Sequence, residues 1–377
     1  MFKKINNIFF IILFLSLLFI PLLFTRWESG GVSEEENRNL AQFPSFTVEG
    51  KYNPTFTGDA ETWFKDHIGF RQHLISANTN LMQKVFDRAL TTSDWKTGKT
   101  GDSIYASEAI IKDFAHINRY SDGQLTHLVG QYQLISDWLA EKGIPFYYVQ
   151  CADKHTIYPE RFIASVKQIG NVSKTDDVMQ YLDDLTTVNA IYFKHILNEN
   201  KEAYPVFSHW GDPTHWTDRG AYICYRQMME QINKDMDAPL KILSEADYDI
   251  SYTNYEGPWG KTEEIEVFTI KNPQAQKGDP SVLGPWSSNN SHSVWKNPNA
   301  GNDKRLLLLC DSYFNNYLID DIAESFSEVW LIWADYLESL PEILELYDAD
   351  MVIMECAERV DRNWAIYKLT ARLEEGL

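Results

Sequence analysis

Positive charge is scarce in this chain of 377 residues. Its 34 Lys and Arg stand against 54 Asp and Glu, a formal net charge of −20. A phosphate backbone needs a basic surface, so this balance argues against a nucleic-acid partner. Cysteine is scarce too. Cys151, Cys224, Cys310 and Cys356 form no CxxC pair and no Cys/His metal spacing. Each lies in or beside an apolar run, so they read as buried free thiols, although an exported location would permit disulfides. No metal and no cofactor is expected. Internal repeats with periods of about 20–50 residues are absent, which excludes solenoid and propeller architectures.

What remains is a packed globular protein, with 44% hydrophobic and 14% aromatic residues. The length suits one large domain with an insertion, or two modest ones. Lys3 and Lys4 precede an apolar run from Ile8 to Phe24. At about 1.5 Å per residue this run spans most of a bilayer's hydrocarbon core. No small-x-small cleavage site follows, so residues 1–26 read as an uncleaved signal anchor and single transmembrane helix rather than a cleaved signal peptide. With the lysines inside, the rest of the chain is expected outside the cytoplasm, at a cell membrane or in a periplasm. Residues 27–95 read as a polar linker followed by a helical segment, in which Trp63, Phe64, Ile68, Leu74 and Ile75 follow helical spacing.

Residues 96–377 read as one α/β domain. Four short apolar runs, 144–151, 304–310, 328–333 and 349–356, have the composition of strands covered on both faces. Helical stretches at 122–143, 217–236 and 315–326 alternate with them, which predicts a mostly parallel sheet. Residues 240–303 break the alternation and read as a β-rich insertion. Its Tyr252, Tyr255, Trp259, Trp286 and Trp295 either stack on sugar rings or pack a small core of their own.

Two serines follow an aspartate in motifs of interest. Gly101-Asp102-Ser103 spells a familiar hydrolase triplet but follows a polar stretch with no preceding strand. Ser312 follows the apolar run Leu306–Leu309 through Cys310-Asp311 and precedes a helix that the pattern starts near Asn315. A nucleophile belongs at such a strand-turn-helix junction, where backbone N–H groups can face an oxyanion. The competing reading is an ordinary helix-start serine. A base is supplied by "DPTHWTD": His215 lies just before a helix for which Thr217 is the candidate N-cap, and Asp212 stands three residues ahead of it. An acid at that position fixes the imidazole tautomer, and the imidazole takes the serine proton.

Taken together, "ENRNLAQFP", "WFKDHIGFRQHLI", "KGIPFYYVQCADKHTIYPERF", "DPTHWTDRGAY", "LLLLCDSYFNNYL" and "DADMVIMECAERV" resemble, in this order, the alginate O-acetyltransferase family of exported, permuted SGNH hydrolase-like proteins. The resemblance implies a three-layer SGNH-like sandwich and a Ser312, His215 and Asp212 triad. Lys154, Tyr158 and Trp216 match positions near the site, and Trp259 and Trp286 of the insertion become candidate sugar contacts. Two departures stand out: the family usually spaces its acid two residues before the histidine, and usually has glycine where Cys310 stands.

The implied activity is transfer of acetyl groups to hydroxyls of a cell-surface or exported polysaccharide. A membrane-bound acyltransferase partner would present the acetyl group. An acetyl esterase of the same chemistry and a non-catalytic glycan-binding protein are the alternatives.

Overall fold

The computed structural model describes residues 11, 14–16, 19–27, 32–33, 38–48, 50–71, 73–74, 95–236, 238–257 and 261–376. The chain divides into two units, residues 1–92 and 93–377.

In the first unit a helix covers Phe56–His67 and so holds Trp63 and Phe64 of the expected segment; Ile68 is its C-cap, Leu74 lies beyond it and Ile75 lies outside the described residues. Its Asp66 carboxylate accepts the Ala41 N–H at 2.9 Å, and His67 Nδ1 lies 2.8 Å from the Trp63 carbonyl while stacking on the Trp63 ring. The "DHIGFR" motif therefore fastens the segment before it. Among the described residues no helix is long and apolar enough to cross a membrane. The apolar run expected to anchor the chain falls partly outside the described residues.

The second unit is built on a seven-stranded sheet. In chain order its strands are β1 (Phe146–Cys151), β2 (Asn189–Tyr192), β3 (Gln276–Lys277), β4 (Ser293–Lys296), β5 (Arg305–Cys310), β6 (Glu328–Trp333) and β7 (Met351–Ala357). The spatial order is β3-β4-β6-β5-β7-β1-β2. The strands from β6 to β2 are mutually parallel, and β4 and β3 close one edge antiparallel. The four apolar runs expected as strands are β1, β5, β6 and β7.

Why continuous leucines make this strand is visible in β5. Side chains alternate across a strand, so Leu306, Leu308 and Cys310 enter one core, and Leu307 and Leu309 the other. Both faces are dry, hence no polar alternation. One core is covered by helix α3 (Asp218–Ile232), which contributes Cys224, Tyr225, Met228 and Met229, and by α4 (Ser312–Tyr317) and α5 (Ile319–Ala323). The other is covered by α1 (Asp122–Ala140), α2 (Lys174–Leu185) and α6 (Asn363–Glu374). This is the three-layer α/β sandwich with a mostly parallel sheet. All four cysteines are buried and free.

Within residues 240–303 a long antiparallel hairpin pairs Tyr248–Glu256 with Thr262–Ile270. The chain then returns to supply β3 and β4, so part of the segment read as an insertion is the edge of the main sheet. Trp259 lies outside the described residues.

Candidate active site

The parallel strands deliver three turns to one edge of the sheet: Asp153-Lys154 after β1, Asp311-Ser312 after β5 and Glu358-Arg359 after β7. Open α/β sheets bind ligands at this carboxyl edge. The β5 turn is held from below. The Asp311 N–H donates to the buried Glu355 carboxylate at 2.8 Å, and Asp311 itself accepts from Ala357 N–H at 2.9 Å and from Arg362 at 3.2 Å. Asp311 also N-caps α4 through the Tyr313 N–H at 3.0 Å. The helix therefore starts at Ser312 rather than near Asn315, because Asp311, not a later asparagine, provides the cap. Ser312 is the first residue of α4, where a backbone N–H has no intrahelical acceptor.

A second loop approaches Ser312 from the other side. Thr217 caps α3 by accepting the Gly220 N–H at 3.1 Å, as its position predicts. Ahead of it, Asp212 Oδ1 accepts the N–H groups of Thr214 at 2.7 Å and His215 at 3.0 Å, folding Asp212-Pro213-Thr214-His215 into a tight turn. That turn brings Asp212 Oδ2 to 2.9 Å from His215 Nδ1, while His215 Nε2 lies 2.8 Å from Ser312 Oγ. Burial would raise the Asp212 pKa, but the hydrogen bond and charge of His215 outweigh it and hold the carboxyl well below its usual range. The extra residue between acid and base is thus accommodated by the turn. Asp218 points elsewhere: it accepts the Phe268 N–H at 3.0 Å, and burial raises its pKa.

Residues that sequence reasoning passed over brace this pair. The Tyr317 hydroxyl lies 3.4 Å from Asp212 Oδ2, and its ring sits 5.4 Å from that of His215. The Tyr313 hydroxyl donates to the Thr214 carbonyl at 2.7 Å and contacts Asp153 at 2.9 Å, and Asp153 is paired with Arg359. Both tyrosines belong to the helix that begins at Ser312, which was the signal available. Glu263, on the hairpin, accepts Ser208 Oγ and the His209 N–H, each at 2.7 Å, and nothing in its local sequence announces that role.

The remaining candidates are distributed differently. Lys154 is buried and donates to the Ser103 carbonyl at 2.7 Å and the His209 carbonyl at 3.4 Å; burial lowers its pKa to about 8. Tyr158 is buried under the Arg161 guanidinium, 3.6 Å from its ring centre, and burial pushes its pKa up to about 12. The cavity lined by Lys154, Tyr158, Thr214 and Arg359 measures about 10 Å³, room for one water at most. Trp216 is buried edge-on against Tyr313 at 4.7 Å. Trp286 is buried in the opposite core, beside Leu283 and Val294. The structure brings Ser312, His215 and Asp212 together; Trp216 supports them from within, and Trp286 does not join them.

Arranged this way, the serine has a base within hydrogen-bond reach and the base has an orienting acid, the requirement for forming an acyl-enzyme. A buried cluster of Asp113, His155 and Glu358 is the one group among the described residues with metal-ligand proximity. Its atoms are already engaged: His155 meets Asp113 at 3.0 Å, and Glu358 accepts from Asp153 N–H at 2.7 Å and Thr156 at 2.6 Å.

Comparisons with known proteins bear on the fold and on part of the chain. Residues 113–265 match the family model described as SGNH hydrolase-like domain, acetyltransferase AlgX, a segment that contains Asp212 and His215 and stops short of Ser312. No curated protein matches the chain. Among solved structures, PatB1 of Bacillus cereus superposes with a TM-score of 0.52 at 16% identity, covering 73% of this chain and 98% of PatB1. The same protein with a sulfonyl adduct gives 0.54 at 16% identity, with the same coverage. The O-acetyltransferase domain of Pseudomonas putida AlgJ gives 0.46 at 13% identity, covering 76% and 99%. Over residues 113–265 the chain is therefore similar to the family described as SGNH hydrolase-like domain, acetyltransferase AlgX, a segment that holds the motifs "KGIPFYYVQCADKHTIYPERF" and "DPTHWTDRGAY".

Proposed function

We propose that this protein is an extracytoplasmic O-acetyltransferase that moves acetyl groups onto hydroxyls of a cell-surface or exported polysaccharide through an acyl-enzyme on Ser312. The observation that carries the reading is the pair of contacts on one imidazole, 2.9 Å to Asp212 and 2.8 Å to Ser312 Oγ. In the first half-reaction Ser312 Oγ attacks the carbonyl carbon of an acetyl donor. His215 Nε2 takes the serine proton and then delivers it to the leaving group. In the second, His215 takes the proton of a sugar hydroxyl as that oxygen attacks the acetyl-serine. The proton returns to Ser312 Oγ as the ester bond to the enzyme breaks. Asp212 holds Nδ1–H and stabilises the imidazolium in both halves. The Ser312 backbone N–H is a donor for the oxyanion.

Lys3 and Lys4 ahead of the apolar run support an N-terminal anchor with the catalytic unit outside the cytoplasm, where a membrane-bound acyltransferase would present the acetyl group. Two experiments test the proposal. A fluorophosphonate probe should label the wild type and not Ser312→Ala; labelling that survives in Ser312→Ala removes the mechanism. A topology reporter fused after Leu377 should be active outside the cytoplasm; activity confined to the cytoplasm removes the location.

A further inference from the structure

Two cavities flank α4 and meet along it. One, of about 490 Å³, lies between α4 and β4. The other, of about 420 Å³, lies between the α4–α5 segment and the hairpin. Trp295, Asn316, Tyr317 and Asp320 line both, so the two are halves of one groove, each half within the size range of ligand sites. Tyr317 joins the groove to the reacting groups, since its hydroxyl lies 3.4 Å from Asp212 and its ring stands beside that of His215.

The groove's chemistry is uneven in one direction. Asn290, Ser293, Asn315 and Asn316 offer groups that both donate and accept, as sugar hydroxyls require, and Trp295, mostly buried, contributes apolar lining to both halves. The charged lining is acidic. Asp218, Asp320, Asp321 and Glu324 surround the second half, and Lys277 is the cation lining the first. Glu324 is already used by the N–H groups of Gln274 at 2.6 Å and Ala275 at 2.8 Å and by Lys241 at 3.3 Å. Lys277 is drawn over the Trp295 ring at 5.3 Å. The charge of Lys277 also acts on Asp320, so the crowding falls on Asp321, which has Tyr248 as its hydrogen-bond partner. Burial, with repulsion from Asp320, Asp218 and Glu324, pushes the Asp321 carboxyl up to about 7. An added carboxylate or phosphate would worsen that crowding.

We infer that this groove seats the acceptor and that the acceptor is an uncharged glycan, a chain of neutral sugars without carboxylate, phosphate or sulfate groups. That the glycan is an acceptor rests on the acyl-transfer reading of Ser312; its charge class rests on the groove alone.

The test is binding, measured calorimetrically on the full chain carrying Ser312→Ala, with two pentasaccharides: the neutral N-acetylchitopentaose and the anionic pentagalacturonate. At low salt the neutral pentamer should bind at least tenfold more tightly, and added salt should narrow the gap. Trp295→Ala should weaken neutral binding severalfold. Asp320→Lys, an exposed change that spares the core, should raise the affinity for the uronate. Equal or tighter binding of the uronate by the parent, binding of neither pentamer, or neutral affinity unmoved in a folded Trp295→Ala protein would each overturn the inference. Because no turnover is needed, selective neutral binding alongside failed fluorophosphonate labelling of the wild type would strike the acyl-enzyme reading and leave the groove standing.

Discussion

Asp102 and His209 form an imidazole–carboxylate pair, Oδ1 to Nδ1 at 2.7 Å, in which His209 belongs to the loop that carries Asp212 and His215. Among the described residues no serine hydroxyl bonds to the His209 ring. Ser103 contributes its backbone instead, its N–H donating to the His209 carbonyl at 2.7 Å and its carbonyl accepting from Lys154. The Gly-Asp-Ser triplet is thus a buttress of the loop that carries Asp212 and His215.

Ser312→Ala is expected to lower acetyl transfer by on the order of 10⁶ and to abolish fluorophosphonate labelling, while Ser103→Ala leaves both close to wild type. Asp102→Ala should instead destabilise the fold by about 3 kcal/mol, the low end for a broken buried pair because His209 is partly exposed. Denaturant melts of the two single variants separate these effects. Strong loss of labelling in Ser103→Ala would reverse the assignment.

Asp212→Asn should lower kcat by on the order of 10⁴, since the amide neither fixes the Nδ1–H tautomer nor stabilises an imidazolium. Asp218→Asn should change the rate less than tenfold, because its carboxylate serves the Phe268 N–H of the hairpin. Initial rates with an activated acetyl ester compare them. The opposite ranking would make Asp218 the acid.

Asp321 gives a pH dependence of stability. Its folded pKa is raised to about 7, facing Asp320, Asp218, Glu324 and the Tyr248 ring, while the unfolded carboxyl keeps an ordinary value. The folded state therefore binds the extra proton between those two values. This contribution is fully present below about pH 4 and is lost as pH rises through about 7. Urea midpoints taken between about pH 5 and 8 should fall with rising pH, and Asp321→Asn should flatten that slope. A slope unchanged in Asp321→Asn would place the titration elsewhere.

Lys154→Met should cost about 1–3 kcal/mol, the loss of a buried ammonium's bonds to the Ser103 and His209 carbonyls. The folded variant should label with fluorophosphonate at a rate within a few-fold of wild type. A large drop in labelling rate without a drop in stability would return Lys154 to the list of groups acting on substrate.

The core strands and the Asp212–His215 pair were legible for the same reason: each is written in a short run of chain. Leu306–Leu309 and Met351–Met354 are apolar on both faces because helices cover both, and continuous apolarity at strand length has few other meanings. Asp212 to His215 is one turn, so spacing alone brings acid to base. What escaped was non-local. β4 reads as part of a loop-rich insertion because four residues, Ser293–Lys296, carry too little pattern, and its antiparallel pairing with β6 and β3 makes it a strand. Trp286 reads like a sugar platform, but it is buried in the core that also holds Leu125 of α1 and Leu369 of α6, residues far from it in sequence. Glu263 clamps His209 across 54 residues, a contact that no local window contains.

The acid and base are three residues apart, whereas the base and the nucleophile are separated by 97. The Asp212–His215 turn can form as soon as its own few residues order, since closing so short a loop costs little chain entropy. Its meeting with Ser312 closes a loop of 97 residues and is expected to come later, with the docking of β5 and α4. Reactivity of Ser312 is thus a clock for the end of folding. During refolding from urea, far-ultraviolet ellipticity should recover ahead of fluorophosphonate reactivity, and the interval between them measures how long this chain spends with its general base assembled and nothing yet to deprotonate.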